Sequence, residues 1–403
     1  MANTLITPSI IAKEALMQVE NNIVMGKLVH REYKREFVKT GATVSIRKPV
    51  KFVASDGATR VNQDVQEANT PFIIDKRKHV SWGFSTQDLT LTIEEYSDRY
   101  IKPAAIALAN QIDADLTALY KRVSHYVGTA GTTPTTFANL GAPSVRLDNA
   151  ACQGEERRLV LNPEASFNVS DMLKSLYNPD LVKGAIRGRS MGPIANMDTY
   201  MDQNIRRHTV GTWGTTPLVN GAAQSVTYAA SAHTYGSTSQ TLAIDGLTTT
   251  TGTCLEGDRF TIANVFAVNP VSRETLTTLQ EFVVQADATA NGSGQATITI
   301  SPAIITSGPF QTVSAAPADN AAITRVSSNF VANMAFHKNA FGLVMCPLEL
   351  PDGAAFKARE SHNGYSFRVV KDYDIDSDTD VIRIDALYGV KALYPELACL
   401  LMG

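Results

Sequence analysis

The sequence predicts an α+β chain of more than one domain, with a small β domain inserted between two stretches of mixed α/β character. Three observations carry this. An apolar stripe at helical spacing runs from Ala105 to Val123. Two alternating segments near the start flank a polar stretch. Between about 215 and 326 charges become rare and Thr, Ser, Ala and Gly rise, before α/β patterning resumes at "NFVANMAFHKNAFGLVMCPLELP". At 403 residues the chain exceeds the size at which one core usually stays single.

In chain order, residues 9 to 25 read as an amphipathic helix. Ala12, Leu16, Val19 and Ile23 form its apolar stripe, Thr7 its cap, Pro8 its first turn and Gly26 its stop. From Gly41, "TVSIRKPVKFV" and "PFIIDKRKHVSWGF" alternate around "ASDGATRVNQDVQEAN", the pattern of a long two-stranded hairpin with a polar tip. Such an arm is marginal in water unless something packs on it. Its cations Arg47, Lys48 and Lys51, with Lys76, Arg77 and Lys78 on the return strand, are the candidate contacts to a neighbouring subunit.

Thr92 and Glu95 have capping-box spacing. Beyond Pro103, which either starts or kinks the next helix, the stripe Ala105, Leu108, Ile112, Leu116, Leu119 and Val123 predicts a helix to about residue 125. Residues 158 to 210 read as mixed, with a strand in "RRLVLNP" and a helix in "SDMLKSLYN". In the charge-poor stretch, "QTLAIDGL", "DRFTIANVFAVN", "LQEFVVQADAT" and "QATITISPAII" are short strands separated by turn signals, the pattern of a small barrel or sandwich.

Two motifs imitate chemistry and fail on context. Asp recurs at every second position from Asp372 to Asp380, but a calcium loop needs Gly at position six and Glu at position twelve. Counted from Asp372 those positions hold Ser377 and Arg383; counted from Asp374 they hold Thr379 and Asp385. An edge strand with wet carboxylates fits better. Gly188, Ser190 and Gly192 spell the G-x-S-x-G of a nucleophile elbow, yet Pro193 follows closely and no oxyanion loop is visible. His337, on an apolar strand, reads as a satisfied core residue.

Composition narrows the rest. Net charge is −3, so the chain as a whole does not attract nucleic acid. Cys152, Cys254, Cys346 and Cys399 form no C-x-x-C pair and fit a reducing compartment. The N-terminus lacks the basic start and apolar core of a signal peptide, and no apolar run is long enough to span a bilayer. No metal or cofactor is expected.

"MAFHKNAFGLVMCPLELP", "VIRIDALYGVKALYPELACLLMG" and "GPIANMDTYMDQNI", with the helix, hairpin, long-helix order before them, resemble the major coat proteins of tailed bacteriophages. The likeness is nearer to short-tailed phages of the enterobacterial type, whose coat proteins carry an inserted β domain. The resemblance implies the tailed-phage capsid (Johnson) fold, with an N-terminal arm over 1–40 and an extended loop over 41–90. It implies a peripheral domain with a spine helix over 91–139, an axial domain over 140–213 and 327–370, the insertion over 214–326, and a return to the peripheral domain over 371–403. It also implies a non-enzymatic virion protein that assembles with itself as pentamers and hexamers in the host cytoplasm. The expected partners are scaffolding and portal proteins and enclosed, loosely held double-stranded DNA, with no membrane. A hydrolase would need Ser190 or the Asp run to be chemical. A tail or adhesin protein would explain the β-rich middle but not the long amphipathic helix.

Overall fold

A computed structural model describes residues 8–32, 43–54, 56–60, 62–63, 65–85, 100–173, 190–214, 216–354, 356–375 and 379–403. Its contacts divide the chain into two units, each assembled from distant segments. The first comprises Met1–Val44, Phe72–Leu116 and Gly342–Lys391; the second comprises Ser45–Pro71, Thr117–Phe341 and Ala392–Gly403.

The first unit is built on a five-stranded sheet in the order Phe341–Met345, Thr379–Ala392, Tyr365–Asp374, Phe356–His362, with Lys76–Ser85 also pairing Thr379–Ala392. Helix α1 (Pro8–Asn22) packs on the strands Phe356–His362 and Tyr365–Asp374 through its predicted stripe, and Ala12, Leu16, Val19 and Ile23 are buried. It ends at Asn22, and Gly26 is not its stop: Gly26 lies buried inside a second short helix, α2 (Met25–Leu28). The reason for glycine there is close approach, since a Cβ would stand 2.5 Å from Ile23 Cδ1 and 3.1 Å from the Tyr365 hydroxyl. Asp113, 2 % exposed, accepts hydrogen bonds from the Val24 and Gly26 amides at the start of α2. Asp113 belongs to α3 (Lys102–Thr117), which buries Ala105, Leu108, Ile112 and Leu116. Pro103 sits in the first turn of α3, where its missing N–H costs nothing. The helix tightens to a 3₁₀ turn over Ala118–Arg122, so the stripe to Val123 spans two kinds of helix. The cap residues Thr7, Thr92 and Glu95 lie outside the described residues.

The predicted long hairpin is shorter and divided. Among the described residues Thr43–Arg47 pairs with Asn69–Ile73 alone, and the strand then breaks at Ile74 and Asp75. The following strand, Lys76–Ser85, runs antiparallel to Thr379–Ala392, with Lys76 opposite Tyr388 and Ser85 opposite Thr379. Alternation marks a strand but not its partner, and here the partner lies some three hundred residues away in sequence.

The second unit contains a mixed seven-stranded sheet in the order His125–Val127, Ala398–Met402, Phe330–His337, Arg157–Leu161, Met197–Met201, Ser190–Ile194, with Arg207–His208 pairing Phe330–His337. Helices α4 (Phe137–Asn149) and α5 (Pro163–Leu173) cover it. The start of α5 precedes the predicted helix by seven residues, because Asn162 caps it by accepting from the Ala165 amide. A six-stranded antiparallel sheet follows in the order Ile323–Arg325, Arg259–Val268, Thr275–Val284, Ala296–Ser301, Gln240–Asp245, Leu218–Val219. Its core includes Phe260, Ile262, Phe282, Ile298 and Ile300, and takes in Trp213 just before it.

Candidate assembly surface

The predicted contact residues fall into two groups. On the first unit, Lys76 Nζ lies 3.2 Å from Asp115, which also accepts from the Tyr388 hydroxyl at 2.8 Å and from Gln111 Nε2 at 3.2 Å. Arg77 lies 3.7 Å from Asp385, a fully buried carboxylate also held by Arg368 at 2.5 Å and Arg383 at 2.7 Å. Burial would raise the Asp385 pKa, but hydrogen bonds and charge from Arg368 and Arg383 overcome it and hold the carboxyl below its ordinary value. Lys76 and Arg77 are therefore engaged within the chain. Lys78 is half-buried on the same strand.

On the second unit, Arg47 and Glu67 form a solvated pair at 3.6 Å. Lys48 is buried: its ammonium donates to the Gly236 carbonyl, lies 3.7 Å from Glu396 and stands 4.6 Å above the Tyr394 ring. Lys51 is exposed, with its ammonium 5.8 Å from the Phe310 ring centroid. Both lysines line a cleft of about 560 Å³ with Arg273, Tyr228, His233 and Glu396. Tyr228 stacks on Phe310 at 3.6 Å and shares a 3.2 Å hydrogen bond with His233 Nε2. Burial, then the charge of Lys48, pulls the His233 pKa down to about 4. Arg273 donates to the carbonyls of Gly308, Phe52 and Pro309. Although Lys51 as a whole is exposed, the cleft walls desolvate its ammonium and lower its pKa, with Glu396 opposing and Lys48 and Arg273 adding to it.

A buried polar chain in this unit has no simple signature in the sequence, because its members stand at 120, 208 and 258. The Tyr120 hydroxyl meets His208 Nδ1 at 2.9 Å, and His208 Nε2 meets Asp258 at 2.9 Å. Asp258 also accepts from Trp213 Nε1 and the Leu255 amide, each at 2.8 Å. The order resembles a nucleophile, base and orienter, but all three side chains are at most 4 % exposed. Burial raises the Tyr120 pKa, which disfavours its phenolate. Beside them Arg259, fully buried, donates to the carbonyls of Gly257, Tyr120 and Val123. The arrangement is a clamp between the strand Arg259–Val268 and the turn Ala118–Arg122.

The two decoy motifs differ from their chemical counterparts. Ser190 opens one strand of a hairpin with Met197–Met201, so strand follows the serine where an elbow needs a helix; Gly188 lies outside the described residues. Asp372 and Asp374 are exposed at a strand end, and Asp380 pairs with Lys371 at 3.0 Å, while Asp376 and Asp378 lie outside the described residues. Among the described residues no cluster of His, Cys, Asp or Glu is arranged to hold a metal, and no helix is long and apolar enough to cross a membrane. His337 is buried and accepts from the Asn339 amide through Nδ1, with burial lowering its pKa.

Among solved structures the chain is similar to that of Mycobacterium phage Che8, at 14 % identity over 94 % of this chain and 90 % of that one, with a TM-score of 0.49. It is similar to the capsid of Cyanophage P-SCSP1u at 11 % identity, over 94 % and 87 %, with a TM-score of 0.46. The mature capsid of bacteriophage PhiM1 matches at 12 % identity, over 90 % and 82 %, with a TM-score of 0.41. No curated protein matches the chain. The family model "P22 coat protein - gene protein 5" matches residues 1–403. The chain therefore belongs to the P22 coat protein family: it has the tailed-phage capsid fold and is a major capsid protein of a phage shell.

Proposed function

We propose that copies of this chain, as pentamers and hexamers, close into an icosahedral shell around double-stranded DNA and do no catalysis. The family match along the whole chain carries this reading. A net charge of −3 suits a wall that encloses DNA without gripping it. The titratable chain of Tyr120, His208 and Asp258 is spent on internal hydrogen bonds. Assembly in the host cytoplasm with scaffolding and portal proteins is part of the same reading, and four cysteines with no disulfide among them agree with a reducing compartment.

The division into arm (1–40), extended loop (41–90), peripheral segments (91–139 and 371–403), axial segments (140–213 and 327–370) and insertion (214–326) is likewise a proposal. The six-stranded sheet within Leu218–Arg325 supports the insertion, and Trp213 in its core argues for starting it slightly earlier. Of the proposed subunit contacts, Lys51 and Lys78 are the more available, since Arg47, Lys48, Lys76 and Arg77 each have a carboxylate partner within the chain. Electron microscopy of the purified protein is the test. Closed shells are expected; fibres or trimers would point to a tail or adhesin protein, and discrete small particles would overturn the reading.

A further inference from the structure

The cleft beside Lys48 and Lys51 has an unbalanced charge. Lys48, Lys51, Arg146 and Arg273 line it, against one lining carboxylate, Glu396. Arg146 is matched by Glu281, at 2.8 Å, which lies outside the lining. Three cations then face Glu396, which is itself 46 % exposed and lies 3.7 Å from Lys48. Arg273 spends its donors on carbonyls, which satisfy hydrogen bonds but cancel no charge. Lys51 lies in that field: desolvation is the main cause lowering its pKa, Glu396 opposes it, and Lys48 and Arg273 add to it. Crowded like charges in a partly dry cleft favour an anionic occupant. The walls add an apolar requirement through Phe52, 61 % exposed, and the stacked Tyr228 and Phe310.

The occupant should therefore alternate carboxylates with apolar side chains. This chain carries such a segment: Asp372, Tyr373, Asp374 and Ile375 are consecutive and all exposed. Ile375 is 81 % exposed and Tyr373 50 %, both high for large apolar residues at the end of a strand. A strand presents successive side chains to opposite faces, so one face offers carboxylates and the other offers rings and aliphatic groups. We propose that the cleft lined by Lys48, Lys51 and Arg273 receives the acidic strand end Asp372–Ile375 of a second copy of this chain. The contact is heterologous, a knob on one copy entering a socket on the next, which is the geometry that closes rings and shells. It deepens the shell-forming reading and rests on it.

The test is a charge swap in the full-length protein, read by sedimentation velocity for shells and by thermal melt for the subunit. Lys51→Glu and Asp372→Lys should each lower shell yield by about tenfold or more while the melt stays unchanged. The double variant, Lys51→Glu with Asp372→Lys, restores an opposite pair and should return yield to within about threefold of wild type. Normal shells from either single variant would overturn the contact, as would a double variant that stays defective with an unchanged melt. A cleft that served nucleic-acid phosphates would give the second result, because a new lysine on the strand end cannot restore a lost phosphate contact. Should Lys51→Glu lower the melt, Lys51→Gln is used in its place, and the proposal then requires it to be defective in shell yield. Wild-type shells in the same run check the shell-forming reading separately.

Discussion

Arg259 shows how one side chain holds two segments. Its guanidinium is fully buried, yet three carbonyls and the rings of Tyr120 and Phe330 surround it. Burial pulls its pKa down to about 10, so it stays charged at neutral pH. Arg259→Met keeps the apolar stem but leaves the Tyr120 and Val123 carbonyls without this donor, and should cost about 3 kcal/mol or more. Arg259→Lys should recover little of that, because a point charge cannot replace a planar fork. Urea denaturation of the full chain checks both. His233 makes a pH prediction at the same scale. Its folded pKa of about 4 lies below the ordinary 6.5, so protonation favours the unfolded state. The stability it contributes is complete above about 6.5 and drains as pH falls towards 4, by at most about 3 kcal/mol. His233→Gln should flatten part of that slope, with His337 leaving a remainder of the same sign. Asp385, whose pKa is lowered, loses its contribution only below the ordinary carboxylate value of 3.8. Melts taken at about pH 7, 4 and 2.5 separate the two windows.

Among the elements, the strand Lys76–Ser85 shows what periodicity can and cannot say. Its alternation was legible, and so was its cluster of cations. Its partner strand and the carboxylates of Asp115 and Asp385 were not, because they come from distant parts of the chain. Read from sequence alone, reversing Lys76, Arg77 and Lys78 to Glu should scarcely touch the subunit. With the ladder in view, Lys76→Glu sets a carboxylate against Asp115, itself 14 % exposed, and Arg77→Glu sets another near Asp385. We expect the triple reversal to destabilise the subunit itself by about 2 kcal/mol, visible as a lower melting temperature before any assembly is attempted. An unchanged melt would return the cluster to the surface. The helices were easier: the stripe of α1 is buried, and α3 buries its own from Ala105 to Leu116, while Leu119 in the following turn is only partly buried. Their ends were harder: the cap of α5 is Asn162, and Gly26 is explained by the close approach of Ile23 and the Tyr365 hydroxyl rather than by helix termination.

For the whole molecule, order was the legible quantity. Helix, alternating pair, long helix, mixed segment and charge-poor β stretch appear in the chain in that sequence, and the family match covers the same 403 residues. The candidate surface was less legible, because its charge balance depends on Arg273 and Glu396 meeting Lys48 and Lys51 across large sequence gaps. The strand Ala398–Met402 has a further consequence. It lies inside the seven-stranded sheet, parallel to His125–Val127 on one side and antiparallel to Phe330–His337 on the other. From Val127 to Ala398 is 398 − 127 = 271 residues of synthesis. At about 5–20 residues per second the ribosome needs roughly 15 to 55 s to make them. Throughout that interval the nascent chain lacks the strand that pairs with His125–Val127, so this sheet closes only after both strands have been made. The clock of translation thus sets when the buried core of this sheet can be completed.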